Sequence, residues 1–264
     1  MKVSILDPTG NITALVEEPV PPAEQPAAAA ELMARCPAVE QVGFVRFTAG
    51  ADGTDASLRM AGGEFCGNAS MCAAALALLR SGGERGSVCL RVSGTAEAVE
   101  VRLEKSGENA FRAGVRMPRA QVIEMRDFAF EGRTGRLPLV RMEGISHLLV
   151  EADSCFFALL KEREAAERAV RLWCRELGAD GLGLMFLERE TLRLTPLVYV
   201  PGSATCFWEN SCASGSAAVG MALATRSGET AELALTEPGG VLRVRSDPAG
   251  ETWLFGSVRL LAED

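Results

Sequence analysis

Two stretches of this chain, 146 positions apart, carry the same arrangement of residues. Residues 62–80 read GGEFCGNASMCAAALALLR, and residues 208–226 read WENSCASGSAAVGMALATR. In each stretch a cysteine, Cys66 or Cys212, stands at the entrance to a predicted alanine-rich helix and is followed by small residues. This repetition predicts two related halves, with equivalent elements placed across a pseudo-twofold axis.

The order of the predicted elements is also similar in the two halves. Each half begins with strands, continues through a helix and further strands, reaches its alanine-rich helix, and closes with strands. We expect helices at 22–36, 67–80, 156–177 and 213–226, and strands that include 41–49 and 138–152. The predicted fold class is α/β (α+β), with two pseudo-symmetric domains, each a mixed sheet wrapped around an alanine-rich helix. We place the N-terminal half at residues 1–117 and the C-terminal half at 118–252.

Composition argues against several classes of function. The formal net charge is −8, whereas a nucleic-acid-binding protein would normally show a basic face. No apolar run approaches the ~20 residues of a membrane-spanning helix, and the N-terminus lacks the apolar run of a signal peptide. We therefore expect a cytoplasmic protein that binds neither nucleic acid nor membranes.

The chain has eight cysteines and a single histidine, His147. In a cytoplasmic protein of this length, the cysteines should be mostly reduced. No two of them have C-x-x-C spacing, so we predict no metal site. For most of the eight, the expected role is that of a small buried apolar side chain. Only Cys66 and Cys212 share a context that indicates chemistry.

A cysteine at a helix N-terminus is suited to acid–base chemistry. This position lowers the pKa of a thiol, and only the thiolate is a good base. The N–H groups of the first helical turn also bind anions, aided by the helix dipole. Two such helix ends at one cleft could hold a carboxylate between two thiols. One thiolate would remove the proton of the adjacent α-carbon, and the other thiol would return a proton on the opposite face. That sequence of steps inverts the carbon without a cofactor.

These residues resemble diaminopimelate epimerase and its relatives, a family of racemases and epimerases that use two cysteines and no pyridoxal phosphate. The resemblance is carried by FCGNAS at 65–70, SCASGSAAV at 211–219 and the Gly10–Asn11 pair. It covers essentially the whole chain. It also implies that the final strand, about 253–264, returns to the N-terminal half.

The resemblance implies a role for each matching position. Cys66 and Cys212 would be the catalytic acid–base pair, and Asn11 would contact the substrate, a small-molecule amino acid. Backbone groups of four residues would hold the α-carboxylate, namely Gly67, Asn68, Ala213 and Ser214. No cofactor would be required. Relatives often form dimers, so a homodimer is one expected state.

The residues expected to bind the substrate side chain differ from those of diaminopimelate epimerases. Their Glu-Arg pair, which contacts the distal amino acid head, would fall on Ser203 and Ala204. Residues 145–147 (Ile-Ser-His) stand where those enzymes have Asn-Pro-His, and Ser57 replaces an asparagine. GGEFCGN and ENSC instead resemble the histidine racemases that serve opine-type metallophore synthesis. Histidine is therefore the preferred substrate, with diaminopimelate or another amino acid as the alternative.

Two further residues are candidate substrate contacts. His147 either touches the substrate or has a structural role. Glu209 binds the substrate amine, orients a thiol, or supports the second helix electrostatically.

Two other classes of protein remain open. One is a non-catalytic amino acid binder that kept the fold, and the other is a thiol redox protein with a working Cys66–Cys212 disulfide. That disulfide would inactivate a racemase. The dependence of turnover on reductant therefore distinguishes a racemase from a thiol redox protein.

Overall fold

The structure is a computed structural model that describes residues 2–47 and 53–263. Its N-terminal half contains β1 (Val3–Asp7), β2 (Thr13–Val16), α1 (Gln25–Arg35), β3 (Gln41–Arg46), β4 (Ala56–Met60), α2 (Gly67–Arg80), β5 (Arg85–Val92), β6 (Val99–Gly107) and β7 (Ala110–Arg116). The chain continues through β8 (Val122–Phe130), β9 (Arg133–Arg141), β10 (Ser146–Glu151), α3 (Arg163–Leu177), β11 (Leu182–Glu188), β12 (Arg193–Val200), β13 (Thr205–Trp208), α4 (Ala213–Ser227), β14 (Ala231–Glu237), β15 (Gly240–Ser246) and β16 (Thr252–Glu263). Short 3₁₀ turns lie at Phe157–Leu160 and Pro201–Ser203.

The strands form one sheet that passes through both halves. Its order is β1-β2-β3-β4-β5-β6-β7-β16-β15-β14-β12-β11-β10-β9-β8, and β13 pairs with β12. The long strand β16 pairs with β15 near its start, with β7 along most of its length, and with β1 near its end. Because β16 also pairs with β1, the strands β1 to β7 and β16 close into a barrel, whereas the path toward β8 stays open within the described residues.

The alanine-rich helices occupy the core. Eleven of the 14 residues of α2 are buried, as are 11 of the 15 residues of α4. An amphipathic surface helix would bury only one stripe. Helix α2 packs against strands of the barrel, from β2 round to β16, whereas α4 packs mainly on β14, β15 and β16. Small side chains let these strands approach the helix on several sides.

Helix α3 is amphipathic, in contrast to α2 and α4. It packs on β11 and β12, and its buried Trp173 lies among the rings of Phe128, Phe130 and Phe156. Gly178 ends the helix in the left-handed conformation, with φ 58°. No helix in the described part of the chain is both long and apolar enough to cross a membrane.

The predicted mixed α+β class is confirmed, but the expected arrangement of two pseudo-symmetric domains, each with its own sheet wrapped around an alanine-rich helix, is not. Strand β16 has 12 residues, enough to pair on both sides, and it joins the strands of the two halves into one sheet. The wrapping also differs, since only the strands around α2 close into a barrel. The division at residues 117 and 118 stays a prediction.

Three predicted elements differ in detail. The helix expected at 156–177 is a 3₁₀ turn followed by α3. The strand expected at 138–152 is broken into β9 and β10, because Gly144, with φ 75°, allows the chain to turn back and pair antiparallel. The strand expected at 41–49 ends at Arg46 as β3, and its last two positions lie outside the described residues.

Candidate active site

The N-termini of α2 and α4 meet between the two halves. Cys66 is the N-cap of α2 and Cys212 is the N-cap of α4, with similar extended backbones of φ −137° and −132°. A β-carbon placed on Gly67 would lie 2.9 Å from the Cβ of Ala213. Both cysteines line one cavity. The two motifs of the sequence therefore meet at one place.

Replacing Gly67 with alanine is expected to lower the free energy of unfolding by about 1–3 kcal/mol, as other overpacked sites do. The added methyl would meet a rigid helix side chain, Ala213, rather than the flexible end of a long one. Urea unfolding measures the change. Gly107→Ala is the matched control, since its added Cβ would meet only Ala110 at 3.4 Å. Equal stability of both variants would contradict the close approach of the helices.

Most of the predicted site residues line this cavity. They are Asn11, Cys66, Asn68, Glu209, Cys212, Ala213 and Ser214. Gly67 lies between two of them, at the contact of the helices. Three residues for which the sequence predicted no role also matter here: Gln41, Glu64 and Glu237.

Two buried asparagines tie the halves together next to the cavity. The Nδ2 atoms of Asn11 and Asn68 donate to the carbonyl oxygen of Ser211, at 2.6 and 3.0 Å. These bonds fix the orientation of both amides. Each Oδ1 is buried and has no hydrogen-bond partner among the described residues. Since a buried polar atom is costly to leave unpaired, the two oxygens are ready acceptors for a ligand.

Cys66 is held by neutral groups. Its Sγ accepts from the N–H of Ala69 at 3.4 Å and donates to Oε1 of Gln41 at 3.0 Å. Gln41 is fixed in turn, because its Nε2 donates to Oγ1 of Thr13 at 2.7 Å. Burial, together with the negative charges of Glu209 and Glu64, raises the pKa of Cys66 to about 12 against the lowering effect of the Ala69 N–H.

Cys212 is held by carboxyl groups instead. Its backbone N–H donates to Oε2 of the buried Glu237 at 2.7 Å, and the other oxygen of that carboxyl accepts from Ser216. Its Sγ lies 3.6 Å from Oγ of Ser214, and the carboxyl of Glu209 is near enough to the thiol that each shifts the pKa of the other. Burial raises the pKa of Cys212 well above its ordinary value, and the charges of Glu209 and Glu237 add to that effect. The two thiols thus have matching positions and different partners.

The carboxyl groups near the site are also shifted. Burial raises the pKa of both Glu209 and Glu237 to about 8, and for Glu209 the charges of Glu40, Glu237 and Glu64 act in the same direction. Without a ligand, the site therefore favours the neutral forms of its thiols and of these two carboxyls near pH 7. A positively charged group placed among them would favour the ionised forms.

The structure does not place His147 on the cavity. The side chain is fully buried in β10 opposite Gly183, where an added Cβ would lie 2.4 Å from Nδ1. Burial lowers the pKa of His147 to about 3, and neither ring nitrogen has a partner among the described residues. Of the two roles left open by the sequence, this geometry favours the structural one.

All eight cysteines are free thiols. Across residues 2–47 and 53–263, no group of three or more His, Cys, Asp or Glu side chains has the arrangement of a metal site. That neither a metal nor another cofactor takes part stays a prediction.

Comparison with known proteins gives a family and a fold. A family model described as the histidine racemase CntK N-terminal domain matches residues 1–261. A histidine racemase of Fusobacterium nucleatum subsp. nucleatum is 30% identical, over 99% of this chain and 97% of that protein. A histidine racemase of Staphylococcus aureus is 27% identical, over 93% of this chain and 88% of that protein.

Solved structures share the fold at low sequence identity. A protein of Pseudomonas aeruginosa described as a predicted epimerase has a TM-score of 0.71 at 19% identity, over 100% of this chain and 98% of that one. A phenazine biosynthesis protein of Bacillus anthracis, of the PhzF family, has a TM-score of 0.60 at 14% identity, with the same coverage. These likenesses support the fold alone.

Proposed function

This chain belongs to the histidine racemase family, and we propose that it is an isomerase that interconverts L- and D-histidine with two cysteine thiols. The observation that carries the mechanism is the meeting of two cysteine N-caps at one cavity. Placement of the chain beside the diaminopimelate epimerases in a wider group stays a prediction.

The two helix ends would bind the α-carboxylate of the substrate. The first N–H groups of a helix have no intrahelical partner, and the dipole favours an anion there. The groups concerned belong to Gly67, Asn68, Ala213 and Ser214. The α-ammonium would then donate to the unpaired Oδ1 atoms of Asn11 and Asn68. With both groups held, the α-carbon lies between the two thiols.

Inversion then takes two proton transfers. The thiolate of one cysteine removes the α-proton and becomes a thiol, and the pair of electrons stays on the α-carbon. The thiol of the other cysteine gives its proton to the opposite face and becomes a thiolate. Fixed N–H donors around the carboxylate stabilise the developing negative charge, which is commonly the largest contribution to catalysis.

Ionisation of a thiol would follow substrate binding. The ligand-free site favours neutral thiols, but the α-ammonium brings a positive charge that lowers the pKa of nearby thiols. Glu209 lines the same cavity as Cys212 and interacts with its thiol electrostatically, so its carboxylate is the candidate acceptor of the thiol proton. This role differs from the three that the sequence left open for Glu209, of which orienting a thiol is the nearest.

A pH profile tests the role of Glu209. Only the ionised carboxylate can accept a proton, and its pKa lies at about 8 in the free protein. We therefore expect kcat/KM to rise with pH up to about 8 and then level off. Glu209→Gln should remove this rise and leave any titration that belongs to the substrate amine. An identical profile for both proteins would exclude Glu209 as the proton acceptor.

The proposed function is tested by chiral chromatography after incubation with each L-amino acid and meso-diaminopimelate, with and without reductant. We expect D-histidine to form, and we expect the activity to require or tolerate reductant. Inversion of another amino acid alone would overturn the choice of substrate. Binding without inversion would favour the non-catalytic binder, and activity lost on reduction would favour the redox protein.

A further inference from the structure

A second cavity adjoins the first between the two halves. It lies between α1 and β3 on one side and β12 and β13 on the other. It shares five lining residues with the cavity that holds the cysteines, namely Gln41, Glu64, Val198, Val200 and Glu209. A substrate held by its α-carbon between the thiols would extend its side chain through this junction.

The walls of the second cavity are mostly apolar, with Gln41, Ser203 and Thr205 as neutral polar residues, and its charged groups have one sign. Ala29, Met33 and Phe207 contribute apolar surface, whereas Glu40, Glu64 and Glu209 contribute carboxyl groups. No lysine, arginine or histidine lines it within the described residues. Such a cavity suits a flat side chain that donates hydrogen bonds or carries positive charge, and it disfavours a distal carboxylate.

Only one of the three carboxyls has a buried oxygen free for a ligand. Glu40 accepts from the backbone and side chain of Asn210, and neither oxygen of Glu209 is both buried and without a partner among the described residues. Glu64 lies two residues before Cys66 and lines both cavities, and its Oε2 is buried without a partner among the described residues. Burial raises the pKa of Glu64, against the lowering effects of the backbone N–H groups of Glu64 and Gly62 and of the positive charge of Arg59.

We infer that the second cavity receives the substrate side chain and that Glu64 is the residue that selects a ring N–H, through its free Oε2. The inference rests on the proposed function and adds the basis of substrate choice. An imidazole donates from one ring nitrogen to Glu64 while its carbon atoms contact the apolar walls. A ring of the same size without an N–H leaves the carboxyl unpaired, and a site built in this way rejects such an analogue strongly.

The test compares L-histidine with 3-(2-thienyl)-L-alanine, whose five-membered ring lacks an N–H. The wild-type protein should favour histidine in kcat/KM by about tenfold to a hundredfold, the range of a hydrogen bond to a charged group. Glu64→Leu should lose most of this preference, mainly through a higher KM for histidine. Glu64→Gln, which keeps a carbonyl acceptor, should lie between the two. Glu190→Gln, in the exposed turn at the far end of the β11–β12 hairpin, is the matched control and should keep the wild-type ratio.

Several outcomes would overturn the inference. Equal kcat/KM of the wild-type protein for histidine and thienylalanine would do so without any variant, which keeps the test decisive if the Glu64 variants fail to fold. If both Glu64 variants keep the wild-type ratio of kcat/KM for histidine over thienylalanine, another group recognises the ring. The proposed function would still stand. Inactivity of the wild-type protein on histidine would overturn the proposed function and, with it, the role of Glu64.

Discussion

Replacing either Cys66 or Cys212 with serine is expected to lower kcat for histidine racemisation by about 10²–10⁴-fold, the usual contribution of a positioned acid–base group. A serine hydroxyl can donate a hydrogen bond, but it is a far weaker acid than a thiol and does not supply the base. Inversion needs both groups in every turnover, so neither cysteine can replace the other. Each single variant should therefore lose almost as much of kcat as a variant that lacks both cysteines.

The control is Cys155→Ser, because Cys155 is the exposed thiol of the chain and lies in the loop before α3. It should keep wild-type kcat. Circular dichroism and urea unfolding of all three variants separate loss of chemistry from loss of fold. Racemisation at the wild-type rate by either the Cys66 or the Cys212 variant would mean that this cysteine is not an acid–base group.

The second large effect concerns Glu237 and the dependence of stability on pH. The folded chain holds the proton of this carboxyl up to about pH 8, whereas the unfolded chain releases it near the ordinary value of 4.5. Between these limits the folded state binds more protons, so stability falls as pH rises. Glu237→Gln cannot ionise and can still accept from the Cys212 N–H. The difference in unfolding free energy, variant minus wild type, should therefore increase by a few kcal/mol from pH 5 to pH 8.5.

Urea unfolding at several pH values measures this difference. Glu209 is shifted in the same direction, so part of the wild-type slope should remain in Glu237→Gln. Glu190→Gln is again the control, and its stability should follow the wild-type curve at every pH. A constant difference between Glu237→Gln and wild type across the range would show that Glu237 is ionised in the folded protein.

The central geometry could be predicted from the sequence because the repeat marks it directly. A cysteine before a run of small residues, found twice, places both thiols at helix N-termini, and the structure brings Cys66 and Cys212 to one cavity. The family resemblance indicated the expected contact residues Asn11, Asn68, Ala213 and Ser214, and the last three lie within one helical turn of a cysteine.

Other features of the site depend on contacts between residues far apart in the sequence, and no local sequence pattern indicates such contacts. Glu237 reaches Cys212 only because β14 ends beside the first turn of α4, and Gln41 reaches Cys66 only because β3 begins beside the N-terminus of α2. Each is an ordinary residue within its own stretch of sequence. Glu64 was visible in the motif GGEFCGN, but its free oxygen is a property of the assembled cavity.

The continuous sheet and the buried position of His147 also depend on contacts between residues far apart in the sequence. Pairing of β16 on both sides joins the two halves, and only the register of the strands shows it. The buried position of His147 depends on the space left by Gly183 on the neighbouring strand.

The most direct test of two thiols on opposite faces follows the α-proton in D₂O. L-Histidine would be incubated with the reduced enzyme, and the two enantiomers would be separated at low conversion and examined by proton NMR. Since one thiol removes the proton and the other donates a solvent-derived one, the D-histidine formed should carry deuterium, while the remaining L-histidine keeps its α-proton. Early deuterium in both enantiomers would indicate a single base acting on both faces of the α-carbon. D-Histidine that retains the original α-proton would also contradict the two-thiol mechanism.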